Sequence, residues 1–146
     1  MSLPKSIKTE SYRVGTVSLL DDDTVLYNLN DDVEINVDDV YEMVHAHQKI
    51  AGDKPRYVIV ITGARTSQNS EARHLNISEE RKKLTLAEAV VIDNIVTRIS
   101  AGFYYRFNAP PFSIRTFPNA DEAMKWINNL RVQDQNKRND LRSILI

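Results

Sequence analysis

The chain has 146 residues, 19 basic and 20 acidic, a formal charge of -1 and no cysteine. That length suits a single domain with one core. The balanced charge excludes a polyanion held by bulk electrostatics, so no nucleic-acid partner is expected. The missing thiols exclude disulfides, thiol catalysis and thiolate metal sites, and they fit a reducing cytoplasm. Residues 1–9 hold no apolar run of signal-peptide length, and no stretch approaches about 18 uninterrupted apolar residues, so a cytoplasmic location and no transmembrane segment are expected.

From the N-terminus, polar and apolar residues alternate from Tyr12 to Ser18 ahead of Leu19-Leu20, Asp21-Asp22-Asp23 interrupt, and Thr24 to Leu29 resume. This predicts a β-hairpin with an acidic turn, whose carboxylates bond the local backbone. The triplet lacks the alternating ligands, glycine and distal glutamate of a calcium loop, so no metal is expected there. Asn36 followed by Val37, Asp38 and Asp39 predicts a capped helix start, and Ala51-Gly52 a stop. His45 and His47 stand two apart, too close on a helix to share an ion, and read as surface and boundary residues.

Arg56 to Gly63 is a continuous apolar run behind Pro55, the pattern of a central parallel strand buried on both faces. Sites in open α/β sheets form where such strands end. The next helix is expected from about Asn69 or Ser70 to Lys82-Lys83. Two explanations of its polar start stand side by side. Ser67, Asn69 or Ser70 caps the helix, or these N–H groups with Arg65 and Arg73 hold an anion or a phosphoryl group.

Thr85 to Ile92 reads as another strand, and Ile95, Val96, Ile99, Phe103 and Phe107 as the inner face of the helix after it. Gly102 within that helix predicts close approach of a neighbouring element. Asn108-Ala109-Pro110-Pro111 stops the helix and Phe112 to Phe117 is the last strand. Asn119-Ala120-Asp121-Glu122 has capping-box spacing ahead of a final amphipathic helix through Leu130. Residues 132–146 form a polar extension with an apolar end, Leu141, Ile144, Leu145 and Ile146. The expected fold is α/β: a single mixed sheet of about five strands, an N-terminal hairpin then parallel βα units, covered by about four helices. Val58, Val60, Val90, Ile92, Ile99, Phe103, Ile114 and Ile127 are the expected core.

This element order, with Val58 to Thr62 running into the Ser-rich start Ser70-Glu71-Ala72-Arg73 and with Asn108-Ala109-Pro110-Pro111-Phe112 before the last strand, resembles the uncharacterised bacterial proteins that carry a SpoIIAA-like (STAS-like) domain. The resemblance spans residues 10–131. In the anti-sigma factor antagonists that define the fold, a serine at the start of the helix after the third strand is phosphorylated by a partner kinase, and Ser70 falls near that position. Those proteins carry Asp-Ser-Ser-Gly where this chain has Gln68-Asn69-Ser70-Glu71.

No glycine-rich phosphate loop, zinc motif or nucleophile elbow is present, so the chain is expected to be no enzyme and to need no cofactor. The resemblance implies a non-catalytic regulatory or protein-interaction domain, with Ser70, Ser67, Arg65 and Arg73 as the candidate phosphorylation or anion site and a protein partner. The alternative is a binder of a small apolar, lipid-like ligand, with Phe103, Tyr104, Phe107 and Phe112 lining the pocket. The apolar end of the extension predicts a homodimer.

Overall fold

In the computed structural model, which describes residues 3–145, the chain opens with three strands, β1 (Ser6–Tyr12), β2 (Gly15–Leu20) and β3 (Val25–Leu29). A two-residue strand β4 (Glu34–Ile35) leads into α1 (Val37–Ala51), then β5 (Arg56–Ile61) and the short β6 (Ser67–Gln68). Helices α2 (Ser70–Asn76) and α3 (Glu79–Lys82) precede β7 (Thr85–Val91), α4 (Ile95–Asn108), β8 (Ser113–Phe117) and α5 (Ala120–Leu145). The main sheet has six strands in the order β1-β2-β3-β5-β7-β8, and β4 pairs with β6 beside it. The first three strands are antiparallel and every later pairing is parallel.

The strand beyond the expected five is β1. Its side chains are mostly exposed at the sheet edge, so it has no buried face to imprint apolar alternation on the sequence. Tyr12 therefore ends β1, and the chain turns at Arg13-Val14 before β2. The start of α1 is as expected. Asn36 Oδ1 accepts from Asp39 N at 3.0 Å while Asp39 Oδ2 accepts from Asn36 N at 2.9 Å, a reciprocal cap. The next helix is not continuous. Between α2 and α3, Ser78 Oγ donates to Leu75 O at 2.6 Å and Asn76 Nδ2 to Gln68 Oε1 at 2.7 Å. Side chains that bond nearby groups in this way compete with the helical ladder.

The crossovers through α1, α2–α3 and α4 all advance in one direction along the sheet, so right-handedness puts them on one face, and α5 covers the other. Two cores result. Val17, Val25, Tyr27 and Val58 pack with Val40, Met43 and Ile50 of α1, and Leu26, Ile59, Ala89 and Val91 pack with Ala123, Met124 and Ile127 of α5. Of the expected core, Val58, Val90, Ile92 and Ile127 are buried, while Val60 and Ile114 are half-buried.

Helix α4 overturns the rest of that expectation. It buries no residue, and Ile99 and Phe103 are 54% and 51% exposed. The stripe assigned to its inner face points to solvent, and the face turned to the sheet carries Thr97, Ser100, Ala101 and Tyr104. Gly102 meets nothing: a Cβ built there has no neighbour within 4 Å. The polar extension also differs from expectation, since α5 continues through it as one helix of 26 residues. Its first part is tied down by Arg131, which donates to Asp22 Oδ2 at 3.0 Å and Thr24 Oγ1 at 2.6 Å, and by the Tyr57 hydroxyl bonded to Asp134. Beyond that point Leu141, Ile144 and Leu145 are exposed. Ile146 lies outside the described residues.

Candidate functional site

Because α2 is short and α4 stands off the sheet, an open cavity of about 600 Å³ remains above β3, β5 and β7, walled by α1, α2 and α4. Its floor is polar. Glu88 lies in β7 between Ala87 and Ala89, whose side chains face α5, so the carboxylate points to the cavity side. Arg81, brought over it by α3, donates from Nη2 to Glu88 Oε1 at 2.6 Å and from Nη1 to Asn76 at 3.3 Å. Arg81 is 1% exposed and its guanidinium carbon sits 5.4 Å from the Tyr27 ring centroid and 5.9 Å from that of Phe112. Burial works against its charge, but Glu88 and Tyr27 outweigh it, and the pKa lies above the ordinary arginine value.

Two buried donors on side chains that line this cavity, Arg81 Nε and the Tyr12 hydroxyl, have no hydrogen-bond partner among the described residues. Burial, with Tyr27 nearby, pushes the Tyr12 phenol above its usual range, so it stays protonated at neutral pH. Beneath them the buried Tyr27 hydroxyl bonds His47 Nδ1. Burial and the charges of Arg81 and Arg56 lower the His47 pKa to about 4. His47 is thus a buried neutral imidazole, where its sequence position had suggested a boundary residue. Burial raises the Tyr27 phenol to about 12.

At the rim, Arg13 holds Asp39 through 2.7 and 2.5 Å bonds and keeps that carboxyl below the usual range. Arg65, in the left-handed region at φ 57°, is paired with Asp32 at φ 54°. It is therefore committed to the β3–β4 loop. Gly63 sits tight against the same loop, where a Cβ would lie 2.6 Å from Asp31 Oδ1. Arg73 has no carboxylate partner among the described salt bridges. It donates to Gln68 O at 3.3 Å and lies 5.3 Å from the Tyr104 ring centroid.

The capping question is answered by Asn69, whose Oδ1 accepts from Ala72 N at 2.9 Å. Ser70 is the first residue of α2 and is exposed, and Ser67 is exposed in β6. Of the four aromatic residues expected to line a pocket, Tyr104 alone borders the large cavity. Phe112 is buried behind α4 beside a smaller recess, while Phe103 and Phe107 face solvent. Arg81, Glu88, Tyr12 and the Tyr27–His47 pair were missed as site residues. Glu88 carried a signal, since a charge in the middle of a strand buried on both faces requires a buried partner. Among the described residues no cluster suited to a metal ion is present, and no helix is long and apolar enough to cross a membrane.

A family model for a domain of unknown function, DUF7793, matches residues 18–131. The chain belongs to that family. The matched region of this DUF7793 chain runs from β2 into α5 and takes in the helices α1, α2 and α4 around the cavity, while Tyr12 and Val14 of its lining precede it. Its fold is SpoIIAA-like: the crystal structure of an uncharacterized DUF3478-family protein with that fold, from Shewanella loihica, superposes with a TM-score of 0.53 at 14% identity, covering 87% of this chain and 98% of that one. No curated protein matches.

Proposed function

We propose that this DUF7793 chain is a non-catalytic interaction domain that docks an amphipathic, acidic segment of a protein partner on the outer face of α4. The observation that carries this is the stripe Ile95, Val96, Ile99, Phe103 and Phe107, which is 61%, 70%, 54%, 51% and 81% exposed. Four of these recur every fourth residue, a ridge about 18 Å long on one side of the helix. Exposed apolar surface of this extent is a signature of docking faces. The stripe is accompanied by Arg98 and Arg106 and by no carboxylate within the helix, and Arg106 lies 5.5 Å over the Phe103 ring. Carboxylates flanking the partner's apolar anchors would complement these cations. An anionic membrane is less suited, because the two basic residues of this helix contribute only about 1 kcal/mol each. In this reading Ser70, exposed at the start of α2, is the place where a phosphate would change the potential that a partner meets.

A photo-crosslinking residue at position 103, activated in the cell of origin, tests the docking face. The expected result is one dominant adduct whose crosslinked segment is acidic and amphipathic, with the purified partner binding the wild type and losing at least tenfold in affinity for Phe103→Ser/Phe107→Ser. Adducts only with lipid, only with a second copy of this chain, or with nothing would each overturn it.

A second reading is favoured by the cavity itself. Its volume falls within the range of small-molecule sites, which supports a binder with a different pocket from the aromatic one expected from sequence. A bound small molecule and a partner on α4 would occupy opposite faces of the same helix.

A further inference from the structure

The floor of the cavity has chemistry that an apolar-ligand pocket does not need. Resting on the small-molecule reading above, we propose that the cavity binds an organic carboxylate, whose head is received by the two unpartnered donors Tyr12 O–H and Arg81 Nε–H and whose body lies against the apolar walls. Both donors belong to side chains that line the one cavity. A donor left without an acceptor in a buried site is rare in a folded protein and calls for an explanation. Here a single ligand acceptor group explains both.

The class of ligand follows from what the donors can and cannot do. Arg81 Nε has a proton to give and nothing to accept, and the Tyr12 hydroxyl is held protonated by burial. A carboxylate offers two oxygens to two such donors, and charge-assisted bonds of this kind are the stronger ones. Glu88 already balances Arg81, so the compensating charge for a ligand anion must come from elsewhere. Arg73 supplies it at the rim, stacked on Tyr104 and free of any carboxylate in the described salt bridges. Arg65 and Asp39 also line the cavity, but each is neutralised by its own partner. Asp93 and Asn94 stand at the opposite end, beside α4, so the rim is polarised, positive towards α2. The walls between, Val14, Leu29, Ile35, Val60 and Val90 with Tyr104, are apolar and suit a hydrocarbon or aromatic body.

Amide chemical-shift titration of the whole chain with indole-3-acetate, decanoate and the corresponding amides tests the assignment. At least one acid is expected to bind in fast or intermediate exchange with shifts centred on Tyr12, Arg81, Glu88 and Arg73, at least tenfold tighter than its amide. The acid preferred shows whether the body is aromatic or an acyl chain. Tyr12→Phe removes only the hydroxyl and should weaken the acid at least fivefold while the ligand-free protein melts no lower than the wild type, because an unpaired buried donor has gone. The double variant Arg81→Met/Glu88→Met removes the ion pair together, so no charge is orphaned, and should abolish the preference for acid over amide. Equal binding of acids and amides, or no effect of Tyr12→Phe on the acid, would overturn the carboxylate assignment and leave the small-molecule reading standing. No shift with any of the four probes at millimolar concentration would overturn both.

Discussion

At the scale of single residues, the buried polar groups under the cavity make the clearest measurable claims. His47 is neutral in the folded chain, with its pKa lowered to about 4 by burial and by Arg81 and Arg56, whereas an unfolded histidine titrates near 6.5. The unfolded state therefore binds the extra proton between these values. The stability that comes from keeping this imidazole neutral is present in full above pH 6.5 and is lost as pH falls to 4, by about 3 kcal/mol in total. Urea midpoints measured from pH 7 to 4.5 should fall accordingly, and His47→Gln should flatten the curve in that window. Asp39 loses its Arg13 partner only at lower pH, since its pKa is held below the normal carboxyl value, so the two effects separate. At the start of α2, Asn69 is the cap and Ser70 is not. Asn69→Ala should cost about 1 kcal/mol and Ser70→Ala less than about 0.5 kcal/mol in thermal unfolding. A larger loss for Ser70→Ala would return the capping role to the serine.

At the scale of elements, α4 is the one whose burial periodicity misassigned. Its apolar stripe is real, but the stripe faces water and the sheet sees Thr97, Ser100 and Ala101. Truncating Phe103 should accordingly shift stability by no more than about 0.5 kcal/mol, not the several kcal/mol of a core phenylalanine. Ile127→Ala on α5, where the side chain is fully buried, should cost about 2 to 5 kcal/mol. Gly102 has open space around it, so Gly102→Ala should stabilise the protein by up to about 1 kcal/mol through helix propensity alone. A destabilised Gly102→Ala would mean that another chain packs there. The last helix divides near Asp134: before it, Tyr57, Asp22 and Thr24 hold the helix to the sheet, and after it Leu141, Ile144 and Leu145 project. A homodimer through that projecting end is tested by deleting residues 135–146, which should lower the sedimenting mass to that of one chain while leaving the melting temperature near that of the full chain.

At the scale of the whole molecule, the six-stranded sheet with helices on both faces was legible in large part, because its central strands and α1 announce themselves locally. Tyr57 to Ile61 is a run without a charged residue, Asn36 and Asp39 form their own cap, and the crossover rule orders the parallel strands once the elements are known. The edge strand β1 escaped because an edge needs no apolar face, and the break between α2 and α3 escaped because it depends on side chains bonding back to local groups. The site was far less legible. Arg81 and Glu88 are seven positions apart on different elements, and Tyr12 reaches the same cavity from the far side of α1 in sequence. Composition, caps and periodicity therefore determined the class of fold, the helix starts and the absence of a familiar catalytic motif, since each is written within a dozen neighbouring residues. The tertiary structure alone decided that α4 stands off the sheet, that a cavity opens beneath it and that a buried ion pair floors it. Periodicity reports which side of a helix is apolar, and only the packed neighbours determine whether anything covers that side.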